Sequence, residues 1–551
     1  MTDIEIANSV KPEKIKNIAK KLGLTARDIF LYGDTKAKVT KKTTKAREDS
    51  KLVLVTAINP TSAGIGKTTV SIGIADALNQ LGESVCLALR EPSLGPVFGI
   101  KGGATGGGHS QVIPMADINL HFTGDFHAIT SANNLLCSMI DNHIFQGNEL
   151  NIDEEKILFH RCLDLNDRAL RSVTVGQTKI EQPRKDSFTI TAASEIMAIM
   201  CLSKNLADLK TRLGNILVAV SKKGKPIYAK DLQAQDAMAI LLEQALYPNL
   251  VQTLEGTPAL VHLGPFANIA HGCNSITATK LSMSLAKYTI TEAGFGADLG
   301  AEKFLDLKCR IAELKPNAVV LVATIQALKL HGGVSKDNLK EENLVALEEG
   351  MGNLLRHIEI IKSVYKLPLV VTLNKYTSDS PREVELVLNK LKSLNVKYAI
   401  NDAWALGGEG AIDLAKTVMS ACEEDNSKFS YSYELEDSIE KKITDIAKSV
   451  YGADGVELLE PAKEAIKTIE KLKLSHYPVV IAKTQYSLSD NAKLIGAPKG
   501  FTITIRDIEI RNGAGFLVAL AGDMMLMPGL SKKPAATGMK ITSNGKISGL
   551  F

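Results

Sequence analysis

The chain carries 551 residues, with 65 basic and 61 acidic side chains, a formal net charge of +4 and 45% hydrophobic residues. That length exceeds one compact core and predicts three or four domains, with enough apolar content to fill them. Charge so near balance gives no compositional ground for a nucleic-acid partner. Asp3, Glu5 and Glu13 lie among the first lysines with no apolar segment, which fits neither a secretory signal nor an acid-poor transit peptide. No run is long and apolar enough for a membrane span. Seven cysteines are scattered without a Cys-x-x-Cys pair, so the expectation is a soluble protein of the reducing cytoplasm.

The basic run 36–51 is broken by threonines, Glu48 and Asp49 and holds no aromatic residue, so it reads as a solvated connection. An apolar strand at 52–58 follows, then Gly64-Ile65-Gly66-Lys67-Thr68-Thr69, then a helix-compatible stretch at 70–78. This order is that of a phosphate loop. Close glycines let backbone N–H groups converge on phosphate, Lys67 adds charge, Thr68 offers Mg²⁺ a hydroxyl, and the helix N-terminus adds its dipole. The longer common pattern wants glycine where Thr61 stands, so the shorter loop of partition-type and signal-recognition-type nucleotide proteins fits better. ATP or GTP is the implied ligand.

A second strand at 84–89 delivers Arg90 and Glu91, and a guanidinium there suits a second anion or an ion pair with Glu91. Residues 99–109 hold six glycines with Lys101, too many for a helix or a central strand, and can donate a nest of N–H groups to an anion. His121, Asp125 and His127 lie close in sequence, and His262 and His271 flank another loop, but no zinc spacing is matched. Mg²⁺ on Thr68, phosphates, waters and Asp125 suits the loop better. His127 or His262 reads equally as a general base or as a hydrogen-bonded structural histidine.

Further strands are expected at 259–263, 318–323, 369–373, 396–400, 479–482 and 516–520, separated by helical patterns, as in a parallel sheet covered on both faces. Loops beyond their carboxyl ends are the expected lining of one cleft. Two of those loops carry aromatics, Tyr376 and the single tryptophan, Trp404, either of which can stack on a flat heterocycle or pack. A polar stretch at 423–432 marks one boundary, and the glycines at 294–300 a softer one.

Taken together these motifs resemble formate–tetrahydrofolate ligase. The resemblance runs from Tyr32-Gly33 to Pro534-Ala535-Ala536, and is most specific at 90–99, 101–108, 121–127, 291–310, 322–333, 451–456, 483–489 and 513–530. It implies a monofunctional α/β protein: a P-loop NTPase-like parallel-sheet nucleotide domain with the formyl phosphate site (1–300), a folate-binding α/β domain (301–430) and a C-terminal α/β domain (431–551). The implied reaction joins formate to tetrahydrofolate with ATP through formyl phosphate, giving 10-formyltetrahydrofolate, ADP and phosphate. Thr61, Ser62, Ala63, Gly64, Ile65, Gly66, Lys67, Thr68 and Thr69 would bind ATP, Thr68 with Mg²⁺. Arg90 would hold formyl phosphate, with Glu91 and Lys101 nearby on the substrate side. Asp125, His127 and His262 are candidates for base or orienting groups. Tyr376 and Trp404 would flank the pterin, with Ile400 in apolar contact and Asp379 close by. The family is typically a homotetramer helped by a monovalent cation.

Three departures stand out: Ile65 where the family usually has glutamate, Ser62 where it has proline, and Gln326 where it has arginine. Beside an active ligase, two readings stay open. One is a diverged paralogue with weak or altered ligase activity; the other is a nucleotide-switched partner-binding ATPase, suggested by the short loop alone.

Overall fold

The computed structural model describes residues 1–42, 45–61, 64–99, 105–177, 183–267, 270–522 and 525–550. Its largest sheet has twelve strands among the described residues: β1 (Ile29–Tyr32), β2 (Lys36–Val39), β3 (Lys51–Ala57), β4 (Val85–Leu89), β5 (Gly106–Gly107), β6 (Ser110–Ile113), β7 (Asn249–Thr253), β8 (Pro258–Val261), β9 (Tyr288–Glu292), β10 (Ala318–Ala323), β11 (Leu369–Asn374) and β12 (Lys397–Asn401). They lie in the order β1-β2-β7-β8-β4-β9-β3-β10-β11-β12, with β6 paired to β7 and β5 to β6. From β8 to β12 every pairing is parallel; β1, β2, β7 and β8 form an antiparallel flank. The fold is mixed α/β with a mostly parallel central sheet.

The strands at the centre are buried on both faces, which is why β4, β10 and most of β3 read as unbroken apolar runs. β9 is the exception. It lies between β4 and β3, yet its sequence, Tyr-Thr-Ile-Thr-Glu, has no apolar run and was not among the expected strands. Its threonines are buried because their hydroxyls are satisfied: Thr291 donates to the Ala88 carbonyl at 2.8 Å, and Thr289 meets the Ser282 hydroxyl at 2.9 Å.

The helix α1 (Lys67–Gln80) follows β3 and packs on the sheet. Gly66 precedes it with φ +81°, a left-handed turn that a side chain resists. The sheet passes residue 300 without a break, and one apolar core runs from Leu52 to Ala521, so segments 1–300, 301–430 and 431–551 share it. In the last segment Val479–Ala482 pairs with Phe516–Leu520, which also pairs with Asp507–Arg511.

A buried ion pair fastens that segment to the helical turn that follows β9. Lys483 Nζ lies 2.6 Å from Asp298 Oδ2, and Asn59 Nδ2 donates to Asp298 Oδ1 at 3.0 Å. Burial alone would raise the Asp298 carboxyl, but Lys483 and His357 hold it well below the usual carboxylate range. All seven cysteines are buried and free. Among the described residues no helix is long and apolar enough to cross a membrane.

Candidate functional site

Parallel strands send their following loops to one edge of the sheet, and a cavity of about 790 Å³ opens there. Four strand-end segments wall it: Gly64 to Thr69 after β3, Arg90 and Glu91 after β4, Gly264 and Phe266 after β8, and Gly294 and Phe295 after β9. Two C-terminal segments complete the wall, with Thr484, Gln485 and Asp490 from one and Gly522 and Met525 from the other.

The 64–69 loop is held from both sides. Gly64 N donates to the Thr61 carbonyl at 3.1 Å, and the Thr61 hydroxyl donates to the Gly64 carbonyl at 3.1 Å. The Ile65 side chain joins the apolar core, 2% exposed, which explains how an apolar residue is accommodated between the two glycines. Its carbonyl accepts from Asn374 Nδ2 at 3.2 Å. Thr68 donates its hydroxyl to Glu292 Oε2 at 2.9 Å, while Glu292 Oε1 is buried without a hydrogen-bond partner. Lys67 and Thr68 both face the cavity. Ser62, Ala63 and Lys101 lie outside the described residues.

Arg90 lies partly buried in the wall, where Nη1 donates to the Pro265 carbonyl at 3.4 Å and Nε is buried unpartnered. A Cβ on Gly294 would stand 2.8 Å from the Ala267 methyl and 3.1 Å from Arg90 Nη1, so glycine there leaves the guanidinium its space. Asp164 fixes the turn beyond, accepting from the Ser93 hydroxyl at 2.6 Å and the Leu94 N–H at 2.9 Å. Glu91 is buried with Oε2 unpartnered. Burial, together with the carboxylate of Asp125 and against the pull of Lys38, pushes its carboxyl well up, towards the neutral acid.

The three base candidates are not brought to this cavity. Asp125 is sealed in an ion pair with Lys38 at 2.7 Å, and its other oxygen accepts from Asn249 Nδ2 at 2.8 Å. His262 is buried with both nitrogens engaged, Nδ1 with the Ser275 hydroxyl and Nε2 with the Ala245 carbonyl, each at 2.7 Å. Burial lowers its pKa to about 4, so it is a neutral, saturated ring. His127 is exposed at the start of helix α2 (Asp125–Phe145).

Tyr376 and Trp404 follow adjacent strands, β11 and β12, and neither lines the 790 Å³ cavity. Tyr376 N donates to Asp379 Oδ2 at 2.8 Å, and Asp379 Oδ1 is buried without a partner, its pKa raised by burial. Ile400 lies part-buried on β12. Trp404 is 48% exposed and packs over the glycine segment: its carbonyl accepts from His109 N at 2.8 Å, and a Cβ on Gly108 would overlap that carbonyl. Gln326 Nε2 donates to the Ser378 hydroxyl at 3.2 Å, inside the Tyr376–Asp379 turn.

Glu292 and the C-terminal wall residues line the cavity, and Asn374 holds the 64–69 loop from behind, but sequence reading assigned none of them a role. Glu292 falls within the 291–310 stretch of the resemblance and two residues before the glycine-rich 294–300 segment, but neither signal gave it a role of its own.

A family model described as formate–tetrahydrofolate ligase matches residues 1–551. That family comprises ADP-forming carbon–nitrogen ligases acting on formate and tetrahydrofolate with ATP and Mg²⁺. With the match spanning the whole length, the chain belongs to the formate–tetrahydrofolate ligase family.

Proposed function

We propose that this chain makes 10-formyltetrahydrofolate from formate, tetrahydrofolate and ATP by way of formyl phosphate, releasing ADP and phosphate. The observation that carries the reading is the meeting of Lys67, Arg90 and the Thr68–Glu292 pair on one cavity wall. Phosphorylating a carboxylate crowds anions together, and that step asks for cations and positioning more than for covalent catalysis. The 64–69 loop serves as the phosphate loop, its N–H groups and the α1 N-terminus cradling ATP while Lys67 neutralises phosphate charge. The Arg90 fork suits formate and then formyl phosphate.

Hard oxygen donors suit Mg²⁺, and the Thr68 hydroxyl with the unpartnered Glu292 Oε1 meets that requirement. When bound, the ion supplies charge neutralisation on the phosphates. In the first step an oxygen of formate attacks the γ-phosphorus, and the bond to the departing ADP breaks. In the second, a folate amine attacks the formyl carbon; the tetrahedral oxyanion collapses, phosphate leaves and the amine loses one proton. Tyr376 and Trp404 flank the pterin, with Ile400 and Asp379 beside it. In the same reading 1–300 handles nucleotide and formyl phosphate, 301–430 handles folate, and the enzyme is a homotetramer activated by a monovalent cation.

The test measures ADP release with and without formate and tetrahydrofolate, beside the acid-generated absorbance of methenyltetrahydrofolate from formylated product. ADP release that depends on both substrates and matches product is expected. ATP turnover indifferent to both would overturn the reading.

A further inference from the structure

Two buried asparagines stand side by side at the ends of β11 and β12, at paired positions in the register. Asn401 Nδ2 donates to Asn374 Oδ1 at 2.9 Å, and Asn374 Nδ2 donates to the Ile65 carbonyl at 3.2 Å. This chain has one possible direction. A carbonyl can only accept, so Asn374 must turn its NH₂ to Ile65 and its oxygen to Asn401, which must answer with its own NH₂. The Ile65–Gly66 peptide is trans, so a carbonyl held by Asn374 sends the Gly66 N–H the opposite way. Gly66 lines the cavity and Asn374 does not. A Cβ on Gly66 would overlap Asn374 Nδ2, so glycine is what lets the amide come this close.

The same asparagines begin the two aromatic loops. Tyr376 stands two residues past Asn374, and Lys375 N donates to the Asn401 carbonyl at 3.1 Å. Trp404 stands three residues past Asn401. A second contact joins that loop to the helix behind the phosphate loop: a Cβ on Gly73 would overlap the Ala403 methyl.

We propose that Asn374 and Asn401 are positioning residues that couple the phosphate loop to the loops carrying Tyr376 and Trp404, so that nucleotide and folate each tighten the other's binding. The inference rests on the assignment of ATP and folate to those two places. Nucleotide needs the 65–66 peptide with its N–H towards the phosphates, and that orientation places the two asparagines, hence the starts of both aromatic loops. Folate ordering those loops places the asparagines in turn. Such coupling is reciprocal, with one factor read from either side.

The experiment is calorimetric titration of the purified full-length protein with a non-hydrolysable ATP analogue plus Mg²⁺, and with tetrahydrofolate, each alone and in the presence of the other. Wild type is expected to show a coupling factor of about five or more. Asn374→Ala and Asn401→Ala are each expected to bring it to within about twofold of one, whatever their effect on either ligand's affinity alone. Asn401 makes no contact with the phosphate loop in this chain of bonds, so a loss of coupling there is not explained by lost nucleotide contact. If thermal melting shows either alanine variant unfolded, Asn401→Ser takes its place. A wild-type factor of one, or a wild-type factor preserved in the variants, overturns the proposal. Failure of wild type to bind the analogue or tetrahydrofolate at all overturns instead the site assignment beneath it.

Discussion

Glu292 receives the Thr68 hydroxyl at 2.9 Å from the end of β9, the strand lying beside the one that feeds the 64–69 loop. Its second oxygen is buried with no partner, a costly state for a carboxylate unless a cation completes it. Glu292→Gln keeps the shape and removes the charge. It is expected to lower kcat about a hundredfold and to weaken Mn²⁺ binding to the nucleotide complex, read by electron paramagnetic resonance. Unchanged Mn²⁺ affinity would remove Glu292 from the metal's surroundings.

Arg90 is expected to act on formate more than on ATP. Arg90→Ala should abolish formylation, and Arg90→Lys should lower kcat/KM for formate by about a hundredfold, because a point charge does not replace the planar fork. ATP affinity should stay within about threefold in both variants, measured by equilibrium binding. Normal turnover in Arg90→Ala would sink the formyl phosphate assignment.

Trp404 is the sole tryptophan, so its fluorescence reports one place only. Added tetrahydrofolate should quench it, and Trp404→Ala should raise the KM for tetrahydrofolate about tenfold with little change in kcat. Gly108→Ala should act in the same direction from another segment, because the new methyl overlaps the Trp404 carbonyl at a position with φ +58°. An emission spectrum unaltered in Gly108→Ala would contradict that contact.

Asp76 predicts a pH effect on stability. It is fully buried on α1, one oxygen taking the Thr253 hydroxyl at 2.6 Å; burial, with Glu255 adding, pushes its carboxyl up to about 8. The folded state therefore keeps a proton that the unfolded chain, titrating near 4, has released. Stability from this group is full below about pH 4 and falls as pH rises to 8, by on the order of 2 kcal/mol between pH 6 and 8. Asp76→Asn should lose less stability over that interval than wild type, as read from urea midpoints. Equal losses would show that Asp76 is ionised in the folded protein.

Many strands were legible because they are short, buried apolar runs: 318–323 of the central sheet and 479–482 and 516–520 of the small C-terminal sheet coincide with observed strands, and others differ by a residue or two at their ends. β9 was hidden because its buried hydroxyls imitate an exposed alternation. The site was legible where backbone requirements leave marks, at Gly64, Gly66 and Lys67, and where a charge follows a strand, at Arg90. Asn374 was legible only as the first residue of a strand-end loop; its hydrogen bonds to Ile65 and Asn401 depend on strand order, which periodicity does not report. Asp125 and His262 show the reverse: residue types suited to proton transfer, whose partners Lys38, Asn249, Ser275 and Ala245 become visible only in three dimensions.

The cavity wall joins Gly64 to Gly522, residues from opposite ends of the sequence. During synthesis the 64–69 loop therefore emerges from the ribosome long before its facing wall exists, and a nascent chain that already has β3 and α1 still lacks the closed cavity. In the proposed reading, ATP held by the 64–69 loop would be fully enclosed only once the C-terminal segment has folded back, so enclosure of the nucleotide would report on completed folding rather than on the first segment to form.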